Sequence, residues 1–156
     1  MKNNTAKLED ILGGFKERHR QLDTLVTFTK DMEGAIEKND FESLGTILTM
    51  RRKSMDRIDA INTEIAGVID RMDEGARERV RHILNSESSV TSFESPVEEE
   101  VFKMNRTTLA AVHKLVALDK KLNEKIRKNM EAEMQSEPEQ AVPGDEAQKS
   151  RLDIGV

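Results

Sequence analysis

The residue types that carry most protein chemistry are either absent from this sequence or spaced so that they cannot cooperate. It contains no cysteine, which removes thiolate nucleophiles, disulfides and sulfur-ligated metals together. Its histidines, His19, His82 and His113, fall in different segments, and no pair has the four-residue spacing that aims two imidazoles at one zinc ion. A solvated or packing role is expected for each. Carboxylates are abundant, yet they interleave with Lys and Arg at four-residue steps, the pattern of a water-facing helix surface. Glu98-Glu99-Glu100 open a helix and complement its dipole without any catalytic role. The sequence has no Gly-rich phosphate loop, no nucleophile with a recognisable base and no cofactor motif. Neither enzymatic activity nor a cofactor is expected.

The charge distribution narrows the partners. A net charge of −5 divides into −1 over residues 1–40, −2 over 41–95, +1 over 96–135 and −3 over 136–156. A nucleic-acid binder displaces counterions with a basic face and, for single strands, usually adds aromatic stacking platforms. With aromatics at 3% and no Trp or Tyr, no nucleic-acid partner is expected. Arg51-Arg52-Lys53 is the densest basic cluster, and Asp56 and Asp59 beside it make it a solvated helix face. The opening MKNNTAKLEDILGG has no apolar run of the signal-peptide type, and no stretch is long and apolar enough to span a bilayer. A cytoplasmic location is expected.

What remains to be positioned is apolar. From about Thr5 to Glu37, Leu8, Ile11, Leu12, Phe15, Leu22, Leu25, Met32 and Ile36 recur at three- and four-residue steps, one face of a helix. Gly13-Gly14 is its weak point and a place for a kink. Asn39 or Asp40 caps a second helix from Phe41 to about Met72, the short turn making the two antiparallel neighbours. Ala76 to Leu84 continues it or forms a separate short helix. Asn85 to Ser95 is the internal loop. Ser95-Pro96-Val97-Glu98 then combines a capping Ser, Pro at the first helical position and Glu three residues after the cap. The third long helix carries Val97, Val101, Met104, Ala111, Leu115, Leu118, Leu122 and Ile126 on one stripe. The fold expected is all-α: an antiparallel bundle of three long amphipathic helices and a short one over residues 1–135, followed by an acidic flexible tail over 136–156.

The second helix has a seam of Leu44, Leu48, Met55, Ile58, Ile65, Ile69 and Met72, in which Arg51 and Asn62 occupy seam-like positions suited to fixing register. Beside it runs a second stripe, Ile47, Met50, Ile61 and Val68; the third long helix has its counterpart in Phe102, Leu109, Val112 and Val116. Such stripes either widen the apolar face of a helix that touches two neighbours or form an exposed groove for an amphipathic helix of another protein. The tail ends in alternating Leu152, Ile154 and Val156, which either fray or fold back to cover that apolar surface.

Residues 32–62, MEGAIEKNDFESLGTILTMRRKSMDRIDAIN, resemble the small flagellar type III export chaperones of the FliT and FlgN kind. The likeness lies in an acidic turn followed by Asp40, Phe41, Leu44, Leu48 and Arg51, and 115–126, LVALDKKLNEKI, is similar to their third helix. The resemblance implies a cytoplasmic chaperone that shields the terminal amphipathic helix of a late flagellar substrate, such as a filament-cap or hook-associated protein. The absence of Tyr and Trp and the long acidic tail depart from it. The alternative reading is a coiled-coil homodimer in which the same stripes pair with themselves.

Overall fold

A computed structural model describes residues 2–85 and 90–136; the tail from residue 137, with Leu152, Ile154 and Val156, lies outside the described residues. Those described form α1 (Lys2–Glu37), α2 (Phe41–Asp70), α3 (Glu74–Leu84) and α4 (Pro96–Ser136), with no strand among them. The bundle is all-α, three long helices and one short. Its helices are not all antiparallel neighbours. Leu8 to Phe15 of α1 share a core with Val101 near the start of α4, while Met32 and Ile36 pack with Leu122 and Ile126 further along it. α4 therefore runs parallel to α1, and α2 runs against both. α1 is the central helix, packed along its length on α2 and on α4, whereas those two hardly approach each other backbone to backbone.

The α1–α2 turn is built from local hydrogen bonds. Asn39 takes a left-handed conformation, φ 54°, which Asn tolerates better than most residues. The Asp40 amide donates to Ala35 O at 2.9 Å and the Asn39 amide to Ile36 O at 3.2 Å, a Schellman closure that satisfies the last carbonyls of α1. Asp40 then caps α2, accepting from the Ser43 amide at 3.1 Å and from its hydroxyl at 2.6 Å. The two Ser43 bonds hold the Asp40 carboxyl below its ordinary pKa. Asp73, which caps α3 and accepts from the Ala76 amide, is lowered by that bond and by Asn4. Both contributions are complete above the ordinary carboxylate range and vanish as pH falls through the depressed one.

α1 passes through Gly13-Gly14 as unbroken helix. A Cβ on Gly14 would lie 3.0 Å from Ile65 Cγ1 and 3.1 Å from its Cδ1, whereas one on Gly13 would meet nothing within 4 Å. Gly14 thus lets α2 close on the α1 backbone, and Gly13 has no such duty. Gly13→Ala is expected to stabilise the chain by about 1 kcal/mol. Gly14→Ala should forfeit that gain to overpacking against Ile65. Denaturant midpoints of the two variants distinguish the cases; equal stabilisation by both would mean that the approach at Gly14 is not tight.

α3 is a separate helix closing the base of the bundle with Val80 and Ile83, 3% and 1% exposed. Glu98, also 3% exposed, holds this end together. Its Oε1 accepts from Arg79 Nη2 at 2.7 Å, Arg79 Nε at 3.2 Å and the Glu94 amide at 3.1 Å. Arg79 also donates to Ser92 O at 3.0 Å, and Ser95 Oγ caps α4 by accepting from the Glu98 amide at 3.2 Å. The Glu98 hydrogen bond raises the Arg79 pKa, as expected of a guanidinium beside a carboxylate.

Candidate partner-binding groove

The core divides into two clusters. One, at the base, gathers Ile11 and Phe15 of α1 with Ile61 and Ile65 of α2 and Met72 just beyond it; the other joins Met32 and Ile36 to Leu122 and Ile126. Between them the buried positions turn partly polar, with Thr29 on α1, Ser54 on α2 and Thr108 on α4. Arg18 lies over the Phe15 ring at 4.2 Å and donates to Asn62 Oδ1 at 3.0 Å. Burial lowers its pKa. Arg51 Nη2 donates to both carboxylate oxygens of Asp119, each at 2.7 Å, and so ties α2 to α4 where their backbones stay apart. The seam-like Arg51 and Asn62 are thus both used in contacts between helices. The Nε atoms of Arg18 and Arg51 and the Thr108 hydroxyl are buried and have no hydrogen-bond partner among the described residues.

Since Arg51 points at α4, residues three before and four after it share that side of α2: these are Leu48 and Met55. Asp119 likewise marks Val112 and Val116, seven and three residues before it, as the α2-facing flank of α4. The two flanks leave between them an apolar strip, a groove crossed by the Arg51–Asp119 bridge, with Met55 49% and Val116 60% exposed at its edges; Ile58, Leu109, Val112 and Leu48, which also packs against the Met32 cluster, are half-buried.

This redistributes the stripes drawn from the sequence. Ile61 is 0% and Val68 9% exposed, so neither is available to a partner. α2 presents that part of its second stripe to α1, which the periodicity alone did not reveal. Ile47 packs against the Met32 cluster. Met50 is 43% exposed but lies one heptad before Arg57, whose Nε donates to Glu17 of α1 at 2.8 Å, and so on the flank turned away from α4. Phe102 packs against Phe93, ring centroids 5.2 Å apart, beneath Arg106. Leu109, Val112 and Val116 remain on the groove. Met55, assigned to the buried seam, is instead one of its rims: the α2–α4 separation leaves that seam position uncovered. The 68-residue interval between Arg51 and Asp119 hid this pairing from a periodicity argument.

An open depression of about 480 Å³ follows Val116, Asp119, Lys120, Asn123, Glu124 and Arg127. All these residues belong to α4, so it is a furrow along a helix rather than an enclosure for a small molecule. His19 lies 3.5 Å from Asp23 one turn on, and among the described residues no cluster of His, Asp and Glu is arranged to hold a metal. No helix in the described part is long and apolar enough to cross a membrane. Comparisons with protein-family models, with curated proteins and with solved structures gave no match.

Proposed function

We propose that this chain is a cytoplasmic export chaperone of the flagellar type III kind. It receives the terminal amphipathic helix of a late flagellar substrate, a filament-cap or hook-associated protein, in the groove between α2 and α4. Burying the apolar face of that helix prevents its premature aggregation, and the loaded chaperone then brings it to the export apparatus. The observation that carries this reading is the exposure of Met55 and Val116 on the facing flanks of α2 and α4, two helices that both pack on α1 and hardly approach each other backbone to backbone. A fourth long helix laid there completes a four-helix arrangement and removes exposed apolar surface from water. The likeness of residues 32–62 to such chaperones supplies the kind of substrate.

The test is calorimetric titration of the chain with the terminal helices of filament-cap and hook-associated proteins of the same host. At least one is expected to bind at micromolar or better affinity and to weaken roughly tenfold or more on Met55→Asp/Val116→Asp, which places charge in a desolvated interface. Failure of every such helix to bind, or binding indifferent to the double variant, would overturn the proposal. The exposure of Met55 and Val116 also favours a second reading, a homodimer through the same groove. Sedimentation showing a dimer that the double variant dissociates, with no helix able to compete, would put that reading in its place.

A further inference from the structure

The flank of the groove on α4 carries a basic column, with Glu124 beside Lys120 and Arg127, on a chain whose net charge is −5. Four residues of α-helix make one turn plus about 40°, so a four-residue step from Val112 reaches Val116 on the rim, and the next reaches Lys120 outside it. Leu109 leads in the same way to His113, and Asn123 to Arg127. Arg106, His113, Lys120 and Arg127 thus stand seven residues apart in a column beside the rim, about 32 Å long at 1.5 Å per residue. His113, Lys120 and Arg127 are exposed, and the ion pairs among the described residues engage neither Lys120 nor Arg127. The corresponding column outside the α2 rim is Gly45, Arg52, Asp59 and Ala66, which carries no net charge.

We propose that the groove selects an amphipathic helix with Asp or Glu repeated every seven residues along the edge that faces α4. The inference rests on the groove being a helix-binding site and adds the charge pattern of its occupant. Seven-residue spacing on both helices lets one register satisfy successive pairs, as at the flanking positions of a coiled coil. A neutral α2 flank imposes no matching demand on the opposite edge, so one acidic edge is sufficient and fixes orientation as well as register. A nucleic acid would use the basic column but leave the apolar rims uncovered. An acidic-edged helix uses both.

The experiment uses three synthetic 28-residue amphipathic helices with one common apolar face and Glu, Gln or Lys at every seventh position of one edge, titrated into the full chain by fluorescence anisotropy. The Glu peptide is expected to bind about tenfold tighter than the Lys peptide at low salt, since the contacts of Lys120 and Arg127 change from attraction to repulsion. The preference should shrink in 0.5 M NaCl, where the Debye length falls to about 4 Å. Lys120→Glu/Arg127→Glu should reverse the preference towards the Lys peptide; both positions are exposed, so folding is unaffected. Equal affinities for the three peptides, each still lost on Met55→Asp/Val116→Asp, overturn the charge pattern and leave the groove standing. Binding of none of them overturns groove and pattern together. Tight binding of anionic vesicles or single-stranded DNA that Lys120→Glu/Arg127→Glu abolishes and the groove variant does not would assign the column to a different anion and contradict the inference.

Discussion

Ile61→Asp is expected to unfold the chain, while Val116→Asp leaves its melting temperature within a few degrees of the parent. Both lie on apolar stripes of the same kind in the sequence, yet they are 0% and 60% exposed. Ile61 sits where α2 closes on Gly14 of α1, inside the cluster of Ile11, Phe15 and Ile65. A carboxylate there lies among apolar side chains, and Arg18, over the Phe15 ring, is already engaged by Asn62; the cost of burying the charge consumes most of a stability margin of roughly 5–15 kcal/mol. At Val116 the same carboxylate stays in water. Thermal unfolding by circular dichroism reads both. A folded Ile61→Asp with an unchanged midpoint would mean that α2 is rotated about its axis relative to this description.

Arg79→Met is expected to destabilise the chain by about 3 kcal/mol, because it strips the cation from a buried carboxylate while keeping an apolar stem in place. Glu98 would retain the Glu94 amide and lose both guanidinium bonds, and the Ser92 carbonyl would lose its donor. Adding Glu98→Gln should recover part of the loss, since the uncompensated charge is then gone. Denaturant unfolding of the two single variants and the double variant closes the cycle. A loss under about 0.5 kcal/mol for Arg79→Met, the range of ordinary surface substitutions, would show that this pair does not anchor α3 and the 90–95 segment to the start of α4.

The elements of the fold were legible because their signals are local. Ser95-Pro96-Val97-Glu98 places the start of the last helix at Pro96, and Asp40 places the start of α2 at Phe41, where the structure has them. Asn39 and Asp40 both read as caps from the sequence, and the left-handed φ of Asn39 with the Ser43 bonds of Asp40 separates the residue that ends α1 from the one that begins α2. The groove was half legible. Leu109, Val112 and Val116 were named as a second stripe and do flank it, but Ile61 and Val68 looked equivalent to them and are core. A seven-residue repeat shows that a helix has an apolar side; it does not show which neighbour covers it, and that is decided by contacts between residues distant in the chain. Arg51 with Asp119 is such a contact. Gly14 was half legible for the same reason: its low helix propensity is visible in the sequence, and the close approach of Ile65 is not.

The central claim is that a partner helix enters between α2 and α4, and the methionine methyl groups report it directly. Met55 lies on the groove, Met50 on the opposite flank of α2, and Met32 and Met72 in the core at 1% and 4% exposure. With methyl-labelled methionine, two-dimensional NMR during titration with a substrate's terminal helix should show Met55 shifting and saturating with the binding isotherm, while Met50, Met32 and Met72 hold their positions. Movement of Met50 with Met55 stationary would put the partner on the other side of α2 and contradict the account.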